Sequence, residues 1–185
     1  MKHGSFFAAA AMSLSSQAFA GVSETVTAKM KPISESAIVD EFLATCVASY
    51  PSEEALRDRL KQSSFDYRQT EPTMDGSRLN WETSFGWLGF VEALPGNLAS
   101  WTPQCDFNAF TAAPTNHALL ETNLMEALVA RYGADHVTFS EGRWHVSPAE
   151  NSRVAIDRVE RGSANQAILL ALPDATSKMS PKGAE

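Results

Sequence analysis

His136-Val137-Thr138-Phe139-Ser140-Glu141-Gly142-Arg143-Trp144-His145-Val146-Ser147 alternates apolar and polar residues on either side of Glu141-Gly142. Such alternation marks a half-buried strand, and a two-residue centre ending in Gly joins two strands into a hairpin. The predicted register opposes Val137 to Val146, Thr138 to His145 and Phe139 to Trp144. Phe139 and Trp144 then belong to the core face. Thr138 and His145 share the other, polar face with His136 and Ser147. Glu-Gly is not the strongest turn pair, and a slip by one residue would exchange the two faces.

Working outward, Ser152 to Arg161 and Gln166 to Leu172 read as two more strands around Gly162-Ser163-Ala164-Asn165. The unbroken apolar run from Ile168 to Leu172 suits a central strand. On the other side of the hairpin, Pro114-Thr115-Asn116 opens a helix whose inner face is Leu120, Leu124, Leu128 and Tyr132, with Gly133 as its stop. Before it, the aromatic stretch from Leu79 to Leu94 reads as strand, with bends or bulges at Gly86 and Gly89. Pro95-Gly96-Asn97 is a turn. Leu98 to Phe110 is a further strand, in which Pro103 argues for an edge position or a kink.

Near the start, Ser34 caps an amphipathic helix with Ile38, Val39, Phe42, Leu43, Cys46 and Val47 on its apolar stripe. Pro51-Ser52 breaks and restarts the chain. Glu53 and Glu54 suit a first helical turn, Leu56 and Leu60 face inward, and this second helix fades by Ser63-Ser64. The links between strands are too short for parallel crossovers. The element order therefore predicts an α+β fold: a mostly antiparallel sheet with about three helices on one face. No internal repeat is visible in the sequence.

Met1 to Ala20 reads as an export signal: Lys2, a short apolar run from Phe6 to Leu14, and Ala18-Phe19-Ala20 as the cleavage site before Gly21. The expected organisation is a signal peptide over 1–20, a linker over 21–33, one domain over 34–173 and a flexible tail over 174–185. The expected location is periplasmic or secreted. No later segment offers the roughly 20 apolar residues of a membrane span. The chain carries a net charge of -7, and its leader contributes Lys2 but no acid. With no basic stripe to offset this, nucleic acid is excluded as a partner class. Cys46 and Cys105 are the only cysteines, and an exported chain with an even count is expected to join them in a disulfide. The alternative is a reactive thiol with a histidine partner.

No phosphate loop, nucleophile elbow, zinc-protease motif or paired-cysteine redox motif is present. No cofactor is expected. Three candidate constellations remain. His136 and His145 fall diagonally on the polar face of the hairpin, where Asp135 or Glu150 could complete a metal site; a solvated sheet face is the alternative. Trp81, Trp87 and Trp101 are candidate binding residues for a peptide or glycan if exposed, and core residues otherwise. Asp106, with Asn108 beside it and Glu82 or Glu92 nearby, could supply a general base or belong to a polar strand face.

Phe42-x-x-x-Cys46, the Pro51-Ser52-Glu53 helix start, the later Phe65 and Trp101-x-x-x-Cys105 ahead of a helix resemble a set of small exported proteins of Gram-negative bacteria. The resemblance runs from about Glu35 to Leu172. It implies periplasmic export and a Cys46–Cys105 bond, and no catalytic residue. Ser64 stands where that set would favour Gly before Phe65. The leading expectation for function is a non-enzymatic domain that binds a protein, peptide or envelope component. A hydrolase of an envelope polymer using His136, His145 or Asp106 is one alternative. An inhibitor of a secreted hydrolase such as lysozyme is the other.

Overall fold

A computed structural model describes residues 30–71, 78–91, 103–160 and 164–174. The proposed leader, Trp101, Glu92, the Pro95-Gly96-Asn97 turn and the tail beyond Asp174 lie outside the described residues.

Ser34 accepts a hydrogen bond from Ala37 N and starts helix α1, Glu35–Phe42. The helix continues through a π-helical segment, Leu43–Val47. There Thr45 Oγ1 donates to Glu41 O and Ser49 Oγ to Thr45 O, each at 2.6 Å. Such back-bonding to the preceding turn loosens a helical ladder. Ser52 caps α2, Glu53–Gln62, and Asn116 caps α3, His117–Tyr132. Gly133 takes φ 89, a conformation that L side chains resist, and ends α3.

Among the described residues, eight strands form one sheet in the order β1-β2-β3-β4-β8-β7-β6-β5. They are β1 Arg68–Gln69, β2 Arg78–Thr83, β3 Gly86–Val91, β4 Gln104–Phe110, β5 Val137–Ser140, β6 Arg143–Ala149, β7 Ser152–Arg158 and β8 Gln166–Pro173. Every pairing is antiparallel. β1 to β4 and β5 to β8 are two four-stranded meanders, each preceded by helix, and their last strands β4 and β8 meet at the centre. This repetition of architecture has no counterpart in residue identity.

All three helices belong to one layer of the core. Across the sheet, Trp81, Leu88, Phe107 and Leu169 stand in register, and Ile38, Phe42, Leu56, Leu120, Leu124 and Leu128 cover that face, all fully buried apart from Trp81 at 4% exposure. Phe107 sits among the rings of Phe42 and Phe85, at 6.3 and 5.8 Å between centroids. The Cys46–Cys105 disulfide joins the π segment to β4, with its Cα atoms 5.6 Å apart. There is no free cysteine, which removes the reactive-thiol alternative.

Two expectations fail in the middle of the chain. Leu79 to Val91 is not one bent strand but a hairpin, β2–β3, closed by Ser84-Phe85 with Thr83 opposite Gly86. Neither turn residue has positive φ, so none of the usual Gly or Asn turn signals is needed. Phe85 is fully buried, and its carbonyl accepts from Phe110 N at 2.9 Å. Gly86 serves packing instead: a Cβ there would lie 1.9 Å from the Asn108 carbonyl oxygen. Pro103, secondly, puts β4 neither at an edge nor in a kink. It precedes the strand, and its carbonyl accepts from Tyr50 Oη at 2.8 Å, while β4 runs between β3 and β8.

One buried acid escaped the sequence reading. Glu41 is 8% exposed and accepts from Ser63 Oγ at 2.7 Å and Tyr67 Oη at 3.0 Å, tying α1 to the end of α2. Burial, and then the Glu41 charge, push the Tyr67 phenol well above its ordinary range. Burial does the same to Tyr50 and Tyr132. A phenol whose folded pKa is raised stabilises the fold fully below the unfolded value of about 10, and that stability is lost as pH climbs above it. Thermal melts are expected to be flat up to about pH 9.5 and to fall steeply above about 10. Tyr67→Phe should soften that fall; an unchanged alkaline profile in this variant would contradict the assignment.

Candidate functional site

The hairpin at the outer edge of the sheet builds two concavities, one on each face. Its register is the expected one: Val137 opposite Val146, Thr138 opposite His145, Phe139 opposite Trp144. Glu141 and Gly142 take φ 54 and 78, as a tight two-residue hairpin turn requires. Pro148 lies where the β6–β7 register shifts, between Val146 and Ala149.

On the helix-covered face, Glu121, Thr122, Met125 and Glu126 of α3 lie beside Trp144 and Phe139, and only Trp144 is covered. Trp144 is 4% exposed as expected of a core residue, whereas Phe139 is 54% exposed. The expectation that Phe139 lies in the core therefore holds for its face and fails for its burial. Its ring packs on Trp144 at 4.9 Å between centroids. Together with Glu121, Thr122, Met125 and Glu126 of α3, the two rings line a groove of about 440 Å³. Glu121 is paired with Arg158 Nε at 2.8 Å. Glu126 has no such partner among the described residues, and it also borders a second hollow of about 320 Å³ shared with Asp40 of α1. The groove thus combines an aromatic floor with an acidic rim.

On the opposite face, His136, Thr138, Ser140, His145 and Ser147 do converge, with Asp135, Arg153 and Asp174, around a cleft of about 260 Å³. His145 Nδ1 lies 3.1 Å from Asp174 Oδ2, and the Asp174 side chain is 3% exposed. A carboxylate only accepts, so Nδ1 carries the proton in this pair. His145 Nε2 is buried and has no hydrogen-bond partner among the described residues. Among the described residues, no group of three or more His, Cys, Asp or Glu side chains is arranged to hold a metal ion. Glu150 lies in the β6–β7 turn, away from the cleft.

The remaining candidates are dispersed. Trp81 lies on the helix-covered face, buried, with the Arg57 guanidinium 5.4 Å from its ring centre. Trp87, one residue from Leu88 in β3, points to the other face and packs half-buried against Phe110 at 5.7 Å. These two indoles therefore form no common platform. Asp106 is held by Arg78 through two contacts of 2.6 Å and by Asn108 Nδ2 at 3.1 Å. Glu82 is paired with Arg68 across the β1–β2 ladder. His117 caps the packing of Arg158, its Nδ1 3.1 Å from Arg158 Nη1.

No protein-family model, curated protein or solved structure matches this chain. The groove and the cleft stand on their own geometry. The groove was within reach of sequence reasoning, because Phe139 and Trp144 were paired correctly. Alternation does not show that β5 is the outermost strand of the sheet, where Phe139 stays uncovered beside α3.

Proposed function

We propose that this chain is an exported, non-catalytic binding domain that takes a cationic, apolar-stemmed segment of another protein into the groove between α3 and the β5–β6 hairpin. The carrying observation is Phe139, a large aromatic ring 54% exposed beside Glu126, which has no ion-pair partner among the described residues. Exposed apolar surface rimmed by polar groups marks an interaction site. An aromatic face next to carboxylates suits the stem of a Lys or Arg side chain with its charged head at the rim. A chain of net charge -7 also attracts such a partner at a distance. A basic secreted hydrolase is one partner of this kind, which keeps the inhibitor reading within the same class. The hydrolase reading draws less support, since Asp106 is committed to Arg78.

Trp144 lets the groove report on binding, its share of the emission of the four tryptophans being assigned by the loss of the change in Trp144→Phe. Peptides carrying Arg between β-branched residues are expected to change its emission on binding, and the same peptides with Glu in place of Arg are not. Phe139→Ala should weaken the Arg peptides about tenfold or more while leaving the thermal melt nearly unchanged, because anchors of this kind cost about 2 kcal/mol on truncation. Glu126→Gln should weaken them less and flatten the salt dependence. Equal binding of Arg and Glu peptides, or indifference to Phe139→Ala, would refute the proposal.

A further inference from the structure

The sheet ends, beside this groove, on a strand with an open side. β5 is the last strand in the order, paired only with β6 among the described residues. Its alternation of bonding can be read from the turn. In a hairpin with a two-residue loop, the residues flanking the loop exchange both backbone hydrogen bonds, and every second pair does the same. Ser140 and Arg143 flank this loop, so Ser140 and Thr138 bond to β6. Phe139 and Val137, between them, turn their backbone groups outward. Val137 N–H is already used by Ala134 O. The Phe139 N–H, the Phe139 carbonyl and the Val137 carbonyl remain directed to the edge.

Among the described residues, β5 itself carries none of the usual protection. β5 has no charged residue, no proline and no register shift; such devices are how exposed edges are blunted. The opposite edge differs, since β1 has only two residues and begins with Arg68. The residue with outward backbone groups, Phe139, is also the one whose side chain floors the groove.

We propose that the cationic segment binds by strand addition: an extended stretch of the partner pairs with β5 as a ninth strand, bonds to Phe139 and to the Val137 carbonyl, and places one side chain, Lys or Arg, over Phe139 toward Glu126. This deepens the binding proposal above and rests on it. The acidic rim selects the cationic occupant over a second copy of this chain, which is itself acidic. Main-chain bonds supply affinity, and the pocket for alternate side chains supplies choice.

A strand added to an edge uses only one of its own two sides. The probe is therefore the peptide Thr-Val-Arg-Val-Thr, acetylated and amidated, in three forms: unmodified, N-methylated at both Val, and N-methylated at the Arg and the second Thr. Binding to the full chain is read from Trp144 emission and from hydrogen exchange at the Phe139 amide. One methylated form is expected to lose about tenfold or more in affinity and the other to bind like the parent. The parent should also slow exchange at Phe139. Equal binding of all three forms would overturn strand addition and leave the groove proposal standing. Failure of the unmodified peptide to bind would overturn both. A concentration-dependent dimer that slows Phe139 exchange without peptide would also overturn the proposal, by assigning the edge to a second copy.

Discussion

Replacing Cys46 and Cys105 together with Ala is expected to cost about 4 kcal/mol of stability. The disulfide closes a loop of 59 residues, and in the chain-entropy model a loop of that length carries this magnitude. The bond is a covalent tie between two layers otherwise held by packing and a few polar contacts, such as Tyr50 Oη to the Pro103 carbonyl: it joins the π segment after α1 to β4 in the interior of the sheet. Both cysteines are buried, at 0% and 1% exposure, so Ala in their place also leaves a small void. For a domain of this size the loss corresponds to a fall in Tm of roughly 10 °C. Urea melts of the oxidised, reduced and doubly substituted chain should show it as a lower midpoint. They should also show a steeper dependence on urea, because the uncrosslinked unfolded chain exposes more surface. A change below about 1 kcal/mol would mean that packing alone holds the helices to the sheet.

Phe107→Ala is expected to have a comparable effect, about 3–5 kcal/mol. Phe107 is fully buried in the middle of β4, with Leu88 and Leu169 on the flanking strands and the rings of Phe42 and Phe85 above it. Both meanders and α1 touch that one side chain, so the cavity it leaves cannot be filled by moving any one of them. Phe107→Leu keeps most of the volume and should cost about 1.5 kcal/mol or less. Cys105 and Phe107 are two residues apart on the same face, so the substitutions are expected to couple rather than add. The triple variant, having lost more than half of a typical stability of about 5–15 kcal/mol, should be largely unfolded at 37 °C.

Much of this architecture was legible in the sequence, for identifiable reasons. The register of the β5–β6 hairpin followed from alternation and a turn that needs two positive φ values, at Glu141 and Gly142. The three helices followed from three- and four-residue periodicity, with Ser34 as a cap and Pro51-Ser52 and Pro114-Thr115-Asn116 as starts. The β2–β3 hairpin did not follow, because its turn, Ser84-Phe85, puts an aromatic residue where turn rules look for Gly, Asn or Asp. Burial of Phe85 in the core drives that turn, and tertiary packing leaves no local signature. Glu41 was hidden for a similar reason: it sits among the buried residues of α1, and only Ser63 and Tyr67, distant in sequence, satisfy it.

For the candidate sites, the sequence placed residues on faces but could not place them relative to the edges of neighbouring elements. His136 and His145 do line one cleft, as the hairpin implied. The partner of His145, however, is Asp174, which follows β8 and was assigned to the tail. Asp106 is not an available base, because Arg78, 28 residues earlier in the chain, holds its carboxylate. Phe139 lies on the expected face but is exposed, because β5 is the outermost strand and the alternation of a hairpin carries no information on its rank in the sheet.

The proposed export and the sulfur bridge that ties helix to sheet are linked, and one measurement addresses both. Protein recovered from the cell envelope fraction would be alkylated without reduction, digested and mapped by mass spectrometry. The expected result is an N-terminus at Gly21 and a single cross-linked pair of peptides containing Cys46 and Cys105. A chain beginning at Met1 with both cysteines alkylated would contradict it.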